Sequence, residues 1–334
     1  LFGLADSLFE SSIAHDQTSA SDFCDINAKR ARIAISQNNN GAARTFYGLV
    51  KGEWDVSSFH YDEDYYLQNT SKRIDYLRRI IGCRDVMILA LGPSIADMPI
   101  WLKEFAKIDA CIAAVSSFKV LENQILQIIN ERVHIAFHSH YRGITPQFDH
   151  IKEFLKRPDE NLFITSRWAL DRLGRKLPSR QELEAEFGEK LIYIGGSGGM
   201  AGATPFNPLR FVFGNSLSVL IPLMALGGAR RIFLFGADGV AEGAAEPSQY
   251  FCEESLEIGF DFKDADRQAL TGALRADTLD FPEAVETGIL SLETLFGFKR
   301  PPIFNVSPGS ALRPFPIIGY EEALKMFSSE NRAP

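Results

Sequence analysis

The feature that most constrains this chain is a series of short, uninterrupted apolar runs alternating with stretches of helical periodicity. Val86–Leu91 (VMILAL), Ala110–Val115 (ACIAAV), Val133–Phe137, Leu162–Thr165, Leu191–Ile194, Arg231–Phe235 (RIFLF) and Ile303–Val306 read as strands. A strand with one wet face alternates apolar and polar residues, so runs without alternation need cover on both faces. Helices are expected at Ser71–Ile81, Ala96–Lys107, Phe118–Glu131, Phe148–Leu155, Gln181–Phe187, Asn215–Leu226, Pro282–Phe296 and Tyr320–Phe327. Such alternation implies crossover connections and a mainly parallel sheet with helices on both faces, an α/β domain over 71–334.

Residues 1–70 lack this rhythm and read as an N-terminal appendage. Arg30–Ser36 and Ala43–Val50 flank Gln37-Asn38-Asn39-Asn40-Gly41, and Asn-Gly between two such runs predicts a β-hairpin. A polar aromatic stretch follows, from Phe59-His60-Tyr61 to Tyr65-Tyr66, and is expected to pack on the main domain.

Composition narrows the partners. The 334 residues carry a formal net charge of −8, which argues against a general nucleic-acid binder. It leaves room for a small anionic ligand held by local donors. Four scattered cysteines without a CxxC pair give neither a disulfide framework nor zinc-ligand spacing, and they fit a reducing, cytoplasmic setting. No apolar run reaches the roughly 18–20 residues of a membrane-spanning helix. The chain starts at Leu1 rather than methionine, as a trimmed chain would.

Ligands of parallel sheets bind beyond the carboxyl ends of the strands, so the loops there are the candidates. Gly92-Pro93-Ser94 follows VMILAL. Glycine admits close backbone approach, proline fixes the helix start, and Ser94 either caps the helix or offers its hydroxyl to an anion. Gly214-Asn215-Ser216 opens the apolar helix to Leu226 and suits capping or an anionic ligand equally. Gly195–Gly202 upstream is too glycine-rich for regular structure and reads as an active-site loop. Asp238 follows RIFLF, where an acid can hold a ribose hydroxyl, orient an acceptor or ligate a cation; a self-stabilising turn is the plain alternative. The irregular stretch over 239–279 reads as a lid. His138 and His140 follow the third strand and are candidates for acid–base work, or ordinary hydrogen-bonded histidines.

Taken in order, these blocks resemble two related groups. One is the bacterial sialyltransferases that use CMP-activated sialic acid. The other is the motility-associated glycosyltransferases and their hydroxymethylpterin pyrophosphokinase relatives. The likeness rests on Gly92-Pro93-Ser94, on Phe213–Ser216 through Met224–Gly227 to the Gly236-Ala237-Asp238 strand end, and on Asn305–Leu312. It implies a Rossmann-like fold with one nucleotide-binding core, in which Gly92, Pro93, Ser94, Gly214, Asn215 and Ser216 face the nucleotide. It further implies that Ser116 lies nearby, and that Ser307 and Ser310 lie near its phosphate or base. The sialyltransferases place a catalytic histidine after the GxD strand, whereas this chain has none beyond His150. His140, His138 or Asp238 would have to take that role. The expected activity is glycosyl transfer from a CMP-linked nonulosonic acid to a glycan or protein acceptor, with no resident cofactor. The alternatives are Mg²⁺-dependent pyrophosphoryl transfer and a non-catalytic nucleotide-binding role in polysaccharide assembly.

Overall fold

The computed structural model describes residues 20–52, 70–105, 108–115, 118–138, 141–166, 178, 180–194, 202–205, 208–212, 215–239 and 264–329. Seven strands form one sheet in the order β5-β4-β3-β2-β1-β6-β7. They are β1 Asp85–Leu89, β2 Ala110–Val115, β3 Ile135–His138, β4 Leu162–Ser166, β5 Leu191–Ile194, β6 Ile232–Phe235 and β7 Ile303–Asn305. Every pairing is parallel. The sheet grows outward from β1 to β5, then the chain returns to lay β6 and β7 on the other side of β1. The topological switch therefore falls between β1 and β6. The expected α/β, Rossmann-like architecture is what the chain adopts.

α3 Thr70–Ile81 precedes β1, and between the strands lie α4 Met98–Phe105, α5 Phe118–Gln124, α6 Tyr141–Lys156, α7 Arg180–Phe187, α8 Ser216–Leu226 and α9 Asp264–Phe296, with α10 Tyr320–Ser329 after β7. The residues expected as one helix over Phe118–Glu131 divide into α5 and a 3₁₀ turn at Leu126–Ile129. The strand runs are buried throughout β1 to β6, as their lack of alternation requires. On one face, α8 lies across β2, β3 and β6 and carries α9 on its outer side. On the other, Phe105 of α4 and Phe327 of α10 pack edge-on, and Phe233 and Phe235 of β6 meet them there. Among the described residues, no helix is long and apolar enough to cross a membrane.

Two expectations are corrected. The predicted β-hairpin in the appendage is a helical hairpin, α1 Ala20–Ser36 and α2 Asn40–Gly52. Ala28, Ala31, Ile35, Ala43 and Tyr47 recur at spacings of one helical face and bury against Leu290 of α9. The Asn-rich link turns through Asn38, at φ 57°. Asn39 caps α2 by accepting a hydrogen bond from Ala42 N–H at 3.1 Å. The Asn-Gly pair thus sits in a first helical turn rather than between strands. Secondly, the helix expected to open at Pro282 begins at Asp264 and runs through that proline, so residues 264–279 of the supposed lid are helical. Residues 240–263 of that stretch, the Phe59–Tyr66 segment and Gly195–Gly199 lie outside the described residues.

One side chain finishes the sheet. His134 N–H donates to Ile112 O at 2.9 Å, while its Nδ1 accepts from Ile112 N–H at 3.1 Å. The imidazole thus supplies the last rung between β2 and β3. Burial and the Arg84 guanidinium hold its pKa below the usual histidine range, against the opposing pull of Asp109 and Asp159. The unfolded chain then takes up this proton at higher pH than the folded one. The stabilisation is complete above the ordinary histidine value of about 6.5 and declines as pH falls through it. Urea titrations between pH 7.5 and 5.5 should show that decline. A His134→Gln variant, which keeps an acceptor without the charge, should show a shallower slope; equal slopes would refute the assignment.

Candidate functional site at the strand switch point

The turns leaving β1 and β6 are joined at the backbone. Ala90 N–H donates to Phe235 O at 2.8 Å and Gly92 N–H to Gly236 O at 2.9 Å, which extends the pairing past both strand ends. Two glycines make this approach possible. A Cβ at Gly92 would run into the Asp238 carboxylate and the Gly236 carbonyl oxygen. A Cβ at Gly236, where φ is +66°, would strike the Ala90 carbonyl oxygen.

Asp238 sits half-buried where these two turns meet, at the carboxyl ends of β1 and β6. Its Oδ2 accepts a hydrogen bond from Ser94 N–H at 3.0 Å, tying the two turns through a side chain. Its backbone carbonyl accepts from Ala311 N–H at 2.6 Å, and the Ser310 hydroxyl lies 3.1 Å from it. A carboxylate has about four lone-pair sites, so one amide leaves most of its acceptor capacity for a ligand. The Ser94 hydroxyl is buried without a hydrogen-bond partner, an unusual state for such a group.

Ser307 and Ser310 prove to be supports. Ser307 Oγ accepts from Ala237 N–H at 2.8 Å, and Ser310 Oγ donates to Ala237 O at 2.6 Å. Both residues are buried, and Asn305 links them by hydrogen bonds to Ser310 Oγ and Ser307 N–H. The closing block therefore fixes the turn that carries Asp238 from beneath. Tyr320, absent from the sequence-based site, is a further support: its hydroxyl donates to Ser94 O at 3.0 Å. Its ring stacks on Trp101 of α4, with centroids 6.1 Å apart. Burial, Asp97 and Asp238 all raise the pKa of its phenol, so the group stays a donor. No motif marks Tyr320; its position at the start of the last predicted helix was the only available signal.

The second turn, at the start of α8, lies toward the same edge of the sheet. Gly227, past the other end of α8, packs against Leu77 and Ile81 at the amino edge, so the helix runs opposite to the strands. Asn215 caps it: its Oδ1 accepts from Leu217 N–H at 2.9 Å and Ser218 N–H at 3.1 Å, completed by Ser218 Oγ. Amides of both turns are thus engaged internally, that of Ser94 by Asp238 and those of Leu217 and Ser218 by Asn215. His138 ends β3 two strands from β1, buried beside Thr165 of β4. His140, Ser116 and Gly214 lie outside the described residues. Among the described residues, no group of three or more His, Cys, Asp or Glu side chains converges to hold a metal ion.

The fold and this crevice define a Rossmann-like α/β protein with an acid at its switch point. No family model matches the chain, and no curated protein or solved structure matches it.

Gly92→Ala should lower stability by about 1–3 kcal/mol, because the new methyl separates the two turns. Asn215→Ala should lower it by about 1 kcal/mol through loss of the cap. Urea denaturation measures both, and a neutral Gly92→Ala would show that the close approach is dispensable.

Proposed function

We propose that the chain transfers a glycosyl group from a nucleotide-activated sugar, most simply a CMP-linked nonulosonic acid. The observation that carries this reading is Asp238 at the β1/β6 switch point, an acid at a strand's carboxyl end with open acceptor capacity. In parallel sheets an acid near that position accepts from ribose hydroxyls. A phosphate directly at the Gly92 turn would face the same carboxylate, so the nucleotide's ribose, rather than its phosphate, belongs beside Asp238. The Ser94 hydroxyl, which has no partner in this conformation, would turn outward to donate to the nucleotide. His140 or His138 would accept the proton of the attacking hydroxyl as general base. Glycan or protein acceptors fit this chemistry, and the negative chain is not suited to nucleic acid.

A second reading is pyrophosphoryl transfer from ATP, and one observation favours it. The amides of Ser94, Leu217 and Ser218 are already engaged, so phosphate charge would need a further source of neutralisation. A carboxylate such as Asp238 suits Mg²⁺, a hard cation that takes oxygen ligands and supplies that neutralisation when bound.

A thermal-shift panel of CMP, CDP, UDP, GDP and ATP, with and without Mg²⁺, separates the readings. Glycosyl transfer predicts stabilisation by CMP without metal, about 2.7 kcal/mol at 100 times the dissociation constant. The gain should disappear in Asp238→Ala and shrink in Ser94→Ala. Stabilisation by ATP alone, and only with Mg²⁺, would favour the second reading. Silence across the panel overturns both.

A further inference from the structure

A cavity of about 280 Å³ lies at the opposite edge of the sheet from Asp238. Arg84 precedes β1, Ala110 opens β2 and His134 precedes β3, so its lining belongs to the amino ends of the strands. Its volume is just below the roughly 300 Å³ at which small-molecule clefts begin, enough for one ring system. The interior is made by Met87, Met98, Phe105 and Leu126. Thioethers and a phenyl ring together favour an aromatic guest, through sulfur–aromatic and edge contacts.

The polar groups at its wall narrow the class further. Arg84 is committed: its guanidinium donates to Ile80 O, Ile81 O and Asp109 Oδ1. With Arg84 positive and Asp109 and Glu131 negative, the lining carries one net negative charge, since 1 − 2 = −1. Anionic guests are therefore disfavoured. His134 is fixed in one tautomer, because Nδ1 accepts the Ile112 amide and the proton must sit on Nε2. Among the lining residues are therefore His134, with its proton on Nε2, and Glu131, a carboxylate. A guest that matches both has a ring nitrogen to accept and an amino group to donate.

We propose that this cavity is a binding site for a small amino-substituted heteroaromatic ring, the size of one nucleobase, separate from the switch-point crevice. The apolar walls sandwich the ring. Its nitrogen accepts from His134 Nε2–H and its amino group donates to Glu131. A plain hydrocarbon would leave both protein groups without partners, and an aromatic acid would meet the wrong charge.

The test is a titration of the full chain carrying ¹³C-methyl methionine with adenine and with cytosine, using benzoate and benzyl alcohol as controls. The Met87 and Met98 methyl resonances should shift with at least one base and not with either control. Glu131→Ala should weaken that binding about tenfold, the size of one hydrogen bond to a charged acceptor. Asp238→Ala should leave it within about twofold, since sites without shared contacts act independently. Ala110→Phe should block the cavity and abolish the shifts; if that variant does not fold, the Glu131 comparison decides alone. No shift with either base, an equal response to a control, or unchanged affinity in Glu131→Ala would overturn the proposal. Loss in Asp238→Ala would assign the bases to the crevice and overturn it equally.

Discussion

The close contact between the turn after β1 and the turn after β6 is the constraint on which the rest of the candidate site depends. Two strands that are neighbours in space diverge in the chain at this point, and their connecting helices leave on opposite faces. Such a divergence normally opens a gap. Here the gap is closed at its base by Gly92 N–H donating to Gly236 O and kept narrow by the missing Cβ atoms of both glycines. The Asp238 carboxylate stands where the two turns meet. Ser307, Ser310 and Asn305 brace its carrier turn from β7, while Tyr320 braces the facing turn from α10.

The strands were legible because burial on both faces leaves no room for polar residues, and that signal needs no tertiary information. ACIAAV and LIYI coincide with β2 and β5. The appendage was misread because Asn-Gly is a local cue, whereas what decides its structure is distant. Leu290, Glu283 and Glu286 of α9 receive the helical face through packing and through bonds from Arg32 and Asn40. Alanine-rich faces such as Ala28, Ala31 and Ala34 give low contrast between apolar and polar sides, so the helical period was faint.

The site was partly legible. Gly92 and Asp238 were found as separate loop features, but nothing in the sequence shows that they meet. Their meeting changes the chemistry expected of each. Read alone, the Gly-Pro-Ser turn offers free amides to an anion; read beside Asp238, it already holds one. Likewise Asn215 satisfies both cap positions with one oxygen. Serines that looked like ligand contacts became struts, because hydrogen-bonding capacity is visible in sequence and its commitment is not.

The bond from Tyr320 to Ser94 spans 226 residues. At a ribosomal speed of roughly 5–20 residues per second, the nascent Ser94 turn waits on the order of ten seconds or more for that partner to be made. During this interval β1 lacks β6 on one side, with backbone groups exposed along the seam where the crevice will form. Assembly of this site therefore follows synthesis of the β2–β5 half, and chaperone dependence should concentrate at this seam rather than at that half, whose strands follow one another in sequence.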